Sequence, residues 1–392
     1  MPLSPPTAAP RSVAAAAAPI RLMLVDDSAV VRRLLAQVFR AEDGVEVVGT
    51  AADGRQALER IDELSPHVVI LDVEMPVLDG LGTLKELRAR WPKLPVIMFS
   101  TLTERGAKAT LDALSYGAND YVAKPSNTGA LANSLESVRN GLVPLVREWG
   151  SIGRRRAAAS GGLSGAPGHG AAPGAVEPPL SSTAVALRPE HGRSQHVEAV
   201  VIGSSTGGPN ALADLVPQMP ADIGVPLLLV QHMPETFTRL LAHRLDDTSA
   251  ITVVEAEPGL AVERGVLYIA RGGVHRVVER KAGGVVIAFD DGPAENSCRP
   301  AVDVLFRSAA RVWGPAVLGV VLTGMGQDGL DGSRHIDAAG GRIITQDEAS
   351  SVVWGMPGAV AGAGLSSENI PLSGVAQAIC RRVAPLTKVV TG

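Results

Sequence analysis

The chain has 392 residues and a formal net charge of −4. That length accommodates two domains with full cores, and so mild a charge excludes an electrostatic drive onto nucleic acid or an anionic membrane. Its two cysteines, Cys298 and Cys380, lie far apart without metal-ligand spacing and read as buried thiols of a reducing cytoplasm, and no apolar run approaches a membrane span.

Residues 1–19 are rich in Ala and Pro but lack the basic start and apolar centre of a signal peptide, so a disordered lead-in is expected. Residues 20–147 alternate strand-like runs with helical periods. The strands are Arg21–Val25, Val45–Ala51, Val68–Leu71, Val96–Phe99 and Asp120–Ala123. The first helix is expected to turn Val30, Val31, Leu34, Leu35, Val38 and Phe39 toward the core. The region reads as five βα units around a doubly wound parallel sheet. Residues 148–196 carry the run Arg154-Arg155-Arg156 and a long Ala/Gly/Ser/Pro tract without hydrophobic period, which predicts a flexible linker.

Alternation resumes in residues 197–392, with strands predicted at Ala199–Ile202, Pro226–Val230, Gly265–Ile269, Ala316–Leu322 and Arg342–Thr345. Val274–Val278 and Gly284–Phe289 read as an antiparallel hairpin appended to that sheet. Helices are expected from Gly208, Glu235, Arg299, Gly329 and Ser373. This half is a second doubly wound, Rossmann-like α/β domain.

In the first half, Asp26 and Asp27 end one strand and Asp72 ends another. Parallel strands of one sheet end along one edge, so these carboxylates converge there. Oxygen-only ligands crowded in this way favour Mg²⁺. Ser100 and Lys124, at two further strand ends, suit the oxygens of a phosphoryl group placed on Asp72.

In the second half, Gly203-Ser204-Ser205-Thr206-Gly207-Gly208 follows a buried strand, Gln231-His232-Met233-Pro234 ends another, and Leu322-Thr323-Gly324-Met325-Gly326-Gln327-Asp328-Gly329 ends a third. Ser, His and Asp at strand ends are the set that makes an alcohol nucleophilic at neutral pH, and they suggest a hydrolase. A phosphate-cradling loop fits less well, because Pro209 stands where a P-loop needs its lysine. His275 and His335 are rivals of His232, and Asp328 is also well placed as a helix N-cap.

The first half resembles the receiver domain of bacterial response regulators through Val25-Asp26-Asp27-Ser28, Leu71-Asp72-Val73-Glu74-Met75-Pro76, Ser100-Thr101 and Tyr121-Val122-Ala123-Lys124-Pro125. The resemblance implies that Asp72 accepts a phosphoryl group from a histidine kinase. It also implies that Asp26, Asp27, Asp72 and the Glu74 carbonyl hold Mg²⁺, with Ser100, Tyr121 and Lys124 as switch residues. Tyr121 equally fits a half-buried core aromatic.

The second half resembles the catalytic domain of chemotaxis protein-glutamate methylesterases through the three segments above, Arg299-Pro300-Ala301-Val302-Asp303-Val304-Leu305-Phe306 and Trp354-Gly355-Met356-Pro357. It implies Ser205 as nucleophile, His232 as base, Asp328 as orienting acid, and Thr206 and Met325 beside the oxyanion. The substrates implied are glutamate methyl esters and glutamines of chemoreceptors, hydrolysed without a cofactor, with a resting receiver that covers the cleft. Departures from the family pattern are Ser204, which places two hydroxyls side by side, Gln327, and Arg271 where a proline is usual.

Overall fold

The computed structural model describes residues 18–124, 131–161 and 196–383. Most of the expected lead-in, residues 162–195 of the expected linker, and Pro125 lie outside the described residues.

The N-terminal half runs β1 (Ile20–Val25), α1 (Ala29–Arg40), β2 (Val45–Ala51), α2 (Gly54–Leu64), β3 (Val68–Asp72), α3 (Gly80–Arg90), β4 (Val96–Ser100), α4 (Glu104–Ser115), β5 (Asp120–Ala123) and α5 (Leu131–Gly161). Local chemistry starts four of these helices: Ser28, Asp53, Asp79 and Thr103 each accept the N–H three residues on. The strands pair in parallel in the order β2-β1-β3-β4-β5. Side chains alternate across this sheet, Met23, Val25, Leu71 and Met98 packing on one face and Leu22, Leu24, Ile70 and Phe99 on the other. The winding reverses between β1 and β3, and Asp26, Asp27 and Asp72 stand at that reversal.

Two features differ from the sequence expectation. Val30 is 72% exposed, because the Ser28 cap starts α1 at the carboxyl edge of the sheet and its first turn overhangs. Residues 148–161 are helical rather than linker, continuing α5. Trp149 is buried there, and Gly150 and Gly153 let the helix approach the sheet: a Cβ on Gly150 would stand 2.2 Å from Ile20 Cγ2, and one on Gly153 1.9 Å from the His67 carbonyl oxygen. Glycines that look like helix breakers are here the contact surface.

The C-terminal half runs β6 (Ala199–Ser204), α6 (Gly208–Leu215), β7 (Leu227–Gln231), α7 (Glu235–Thr248), β8 (Thr252–Glu255), β9 (Val266–Ile269), β10 (His275–Lys281) and β11 (Gly284–Asp290). It continues through α8 (Val302–Trp313), β12 (Val317–Val321), α9 (Leu330–Ala338), β13 (Arg342–Gln346), α10 (Met356–Gly362), β14 (Glu368–Ile370) and α11 (Leu372–Val383). Seven strands form a parallel sheet in the order β14-β13-β12-β6-β7-β9-β8. The edge strands β8 and β14 and the short, Pro- and Gly-containing α10 escaped the sequence reading, since each is too short to show a period. The hairpin β10-β11 is its own two-stranded sheet. It is fastened to α8, where the Ser308 hydroxyl accepts the Val278 N–H at 3.1 Å.

The two halves meet along α4, β5, α6 and α7. Tyr121 stacks on Phe237 with centroids 4.5 Å apart, Asn210 Nδ2 donates to the Ala118 carbonyl at 3.1 Å, and Arg244 donates to the Leu111 carbonyl and the Ser115 hydroxyl. Phe237 is fully buried in the core of its own half as well. Phe237→Ala is therefore expected to destabilise the protein by about 3–5 kcal/mol, visible in a urea or thermal melt. A melt matching wild type would show that this ring is not the anchor described.

Candidate active site

β7, β6 and β12 are adjacent, and their carboxyl ends carry His232, Ser205 and Asp328 in turn. β6 and β12 flank the point where the winding reverses, the place in an open α/β sheet where loops part and leave a crevice. A cleft of about 490 Å³ opens there. Ser205, Thr206, His232, Cys298 and Met325 line it from one half, and Asp120, Tyr121, Ala123 and Asn140 from the other.

The Ser205 loop is tightly fixed. Its N–H donates to the Thr323 carbonyl at 3.0 Å, and its carbonyl accepts from Gly208 N–H at 2.7 Å and Gln231 Nε2 at 3.0 Å. Gly324 permits this approach, since a Cβ there would lie 2.9 Å from the Ser205 Cβ. The two adjacent hydroxyls are not equivalent. Ser204 is fully buried and donates to Gln231 Oε1 at 2.7 Å, whereas Ser205 is half-buried and faces the cleft. Among the described residues the Ser205 hydroxyl makes no hydrogen bond, and the N–H groups of Thr206 and Met325 donate to no protein acceptor.

His232 Nε2 lies 2.8 Å from Asp328 Oδ2. Asp328 is also the acceptor for the N–H groups of Val302 (2.7 Å), Asp303 (3.0 Å) and Gly329 (3.0 Å) and for Asn296 Nδ2 (3.2 Å). It caps α8 from a neighbouring loop; α9, which follows it in sequence, begins at Gly329 with no side-chain cap. Burial works against the charge of Asp328, but the His232 contact and the α8 N–H groups outweigh it and hold the carboxyl below its ordinary value. Burial likewise opposes an imidazolium at His232, yet its hydrogen bonds to Asp328 and Cys298 dominate and raise the pKa to about 9. Asp328 thus stays ionised and makes His232 a strong base.

The rival histidines lie elsewhere. His275 is buried between the Pro293 carbonyl and the Ala301 N–H, and His335 is exposed on α9, bonded to the Asp331 carbonyl. Sequence reasoning missed two groups. Asn296 bridges Asp328 and Asp303, and burial pushes Asp303 up to about 6. Cys298, expected as an inert buried thiol, is half-buried in the cleft wall with Sγ 3.4 Å from His232 Nδ1. No sequence spacing signals that contact.

At the other sheet edge, Asp26, Asp27 and Asp72 bring one carboxylate oxygen each to within 4.8 Å of one another. Lys124 Nζ reaches Asp72 Oδ2 at 2.7 Å and Asp26 Oδ2 at 2.9 Å, though the latter oxygen, buried, has no aligned hydrogen bond. Burial pushes Asp72 up to about 6 against the pull of Lys124. Three converging carboxylates are hard oxygen donors, a set that fits a divalent cation. Ser100 is buried at the end of β4, and Glu74 follows β3 with its N–H on Asp72 Oδ1 at 3.4 Å.

Comparison with known proteins agrees with this two-part reading. Residues 22–136 match the family model of the response regulator receiver domain, and residues 200–379 that of CheB methylesterase. The chain is 45% identical over 365 residues to the protein-glutamate methylesterase/protein-glutamine glutaminase of Trichodesmium erythraeum (strain IMS101), covering 93% of this chain and 99% of that protein. It is 48% identical over 366 residues to the protein of the same name from Nocardioides sp. (strain ATCC BAA-499 / JS614), covering 93% and 96%. The solved Thermotoga maritima CheB methylesterase catalytic domain is 39% identical, covering 48% of this chain and 99% of that one, with a TM-score of 0.47. With a relative matched almost end to end and both halves accounted for, this chain belongs to the family of protein-glutamate methylesterases/protein-glutamine glutaminases that carry a receiver domain.

Proposed function

We propose that the protein hydrolyses glutamate methyl esters, and deamidates glutamines, on the cytoplasmic domains of chemoreceptors, under the control of phosphorylation at Asp72. The observation that carries this reading is the His232–Asp328 pair, 2.8 Å long, in one cleft with Ser205.

Asp328 accepts the hydrogen bond from His232 Nε2–H, which keeps the proton on that nitrogen and leaves the Nδ1 lone pair to act as base. As the Ser205 hydroxyl attacks the ester carbonyl, its proton passes to Nδ1. The free N–H groups of Thr206 and Met325 receive the oxyanion, each worth roughly 3 kcal/mol in comparable enzymes. The imidazolium returns its proton to the ester oxygen as the C–O bond breaks and methanol departs, or to the amide nitrogen as the C–N bond breaks and ammonia departs when the substrate is glutamine. Water, deprotonated by the same ring, then releases glutamate from the acyl-enzyme. No metal or cofactor is assigned to these steps.

In the receiver, Asp26, Asp27 and Asp72 with the Glu74 carbonyl would hold Mg²⁺, which when bound offsets negative charge on an incoming phosphoryl group. Asp72 is the acceptor, a histidine kinase the donor, and Lys124 the counter-charge already beside it. Ser100 and Tyr121 respond to the new charge. Tyr121 is stacked on Phe237, and α7, which carries Phe237, begins three residues after His232, so a shift of this tyrosine loosens the face that borders the cleft.

Methanol release from a methylated receptor fragment, with and without a small-molecule phosphodonor, tests the whole reading. Wild type is expected to speed up with phosphodonor, and Asp72→Asn to give equal rates in both conditions. A phosphodonor that accelerates the variant as much as wild type would remove the proposed control. Among the described residues no helix is long and apolar enough to cross a membrane.

A further inference from the structure

Cys298 ends a tight turn closed by its own N–H to the Glu295 carbonyl (2.8 Å) and by the Glu295 N–H to the Cys298 carbonyl (3.1 Å). The turn holds Sγ 3.4 Å from His232 Nδ1, while Asp328 occupies Nε2 of the same ring at 2.8 Å. With its N–H on Nε2, the imidazole offers the Nδ1 lone pair to the thiol proton. Thiol, imidazole and carboxylate therefore stand in series, the arrangement that turns sulfur into a nucleophilic thiolate. The imidazole–carboxylate pair is what separates Cys298 from an ordinary half-exposed thiol. Cys380, in α11, has no histidine or carboxylate partner among the described residues, and burial pushes its thiol up. The Ser205 hydroxyl lines the same cleft and, among the described residues, makes no hydrogen bond to the ring, so the sulfur, not the serine, is the hydrogen-bond partner of Nδ1 here.

We propose that Cys298 is a redox modification site: a hydroperoxide entering the cleft oxidises its thiolate to the sulfenic acid and switches the hydrolase off. His232 Nδ1 takes the thiol proton, and the sulfur attacks the distal peroxide oxygen. The S–O bond forms and the O–O bond breaks. Sulfur loses two electrons to the peroxide, and the departing hydroxide or alkoxide collects the proton from the imidazolium, leaving water or an alcohol. The new hydroxyl on sulfur then stands against Nδ1, where the serine proton must arrive. A thiol reductant reverses the change. The loss of activity rests on the Ser205–His232–Asp328 reading; the reactivity of the sulfur rests only on its contact with His232.

The test uses the full-length protein in two arms. In the first, iodoacetamide labelling at neutral pH is followed by peptide mass mapping, which needs no esterase activity. Cys298 is expected to label at least about tenfold faster than Cys380, and both His232→Ala and the milder Asp328→Asn are expected to bring its rate down toward that of Cys380. Equal rates for the two cysteines in wild type, or a Cys298 rate unmoved by both variants, would overturn the proposal. In the second arm, methanol release is measured before and after hydrogen peroxide. The wild-type ratio of treated to untreated activity is expected to fall at least about tenfold and to recover with dithiothreitol, while the ratio for Cys298→Ala stays near one. Equal losses in wild type and Cys298→Ala would also overturn it. If the esterase reading itself were wrong, Ser205→Ala would keep its hydrolytic activity while the labelling arm gave the expected contrast, so the two failures are distinguishable.

Discussion

Ser205→Ala is expected to lower kcat for methanol release by about 10⁴- to 10⁶-fold while Asp72 still accepts a phosphoryl group. The size follows from the covalent route: without the hydroxyl there is no acyl-enzyme, and only the Thr206 and Met325 amides and substrate binding remain. The neighbouring serine makes the experiment discriminating. Ser204 is fully buried and spends its proton on Gln231 Oε1 at 2.7 Å. Ser204→Ala should therefore cost about 1 kcal/mol of stability through that lost bond, and should reduce kcat far less than Ser205→Ala. Measuring methanol release and phosphorylation on the same preparations separates loss of chemistry from loss of fold. If Ser205→Ala kept hydrolytic activity and Ser204→Ala lost it, the nucleophile would be reassigned to the buried residue.

The sequence carried the scaffold because both halves are parallel sheets, whose strands are near-continuous apolar runs and whose polar strand ends must converge. The strand-end positions of Asp26, Asp72, Ser205 and His232 were legible for that reason, since each ends such a run or stands directly after it, whereas Asp328 lies in the Gly-rich loop that follows β12. What stayed hidden depends on contacts between distant segments. The contact of Cys298 with His232 spans 66 residues and comes from an irregular turn. Asp328 looked like the cap of the helix following it, yet its lone pairs serve α8, whose first N–H groups the fold brings beside it. The extension of α5 to Gly161 was masked by Gly150 and Gly153, because a glycine needed for close approach is indistinguishable in sequence from one that ends a helix. The inequality of Ser204 and Ser205 rests on which hydroxyl faces Gln231, a question of strand register that the motif alone leaves open.

Asp328→Asn is expected to cut kcat by about 10⁴-fold and to move the acid limb of the pH–rate profile to lower pH. Both effects follow from the contacts of one carboxylate. Ionised, Asp328 fixes the proton on His232 Nε2 at 2.8 Å; an asparagine can present its amide to that nitrogen, which favours the wrong tautomer and leaves Nδ1 protonated. The direction of the pH shift comes from the balance at His232. Burial favours the neutral ring, and the bonds to Asp328 and Cys298 overcome it to place the pKa near about 9. With the negative charge gone, burial gains weight and the ring loses its proton at a lower pH. The base form is the active one, so wild-type activity should climb as pH rises toward about 9, and the residual activity of the variant should reach its plateau earlier. The same pair contributes to folding with a fixed sign. Because the folded pKa of His232 is raised, its contribution is complete below the unfolded value of 6.5 and is lost as pH rises through about 9. The stability difference between wild type and Asp328→Asn should therefore shrink over that interval, while the catalytic difference persists. An acid limb that stays in place, or moves upward, in the variant would show that Asp328 does not set the proton affinity of this imidazole.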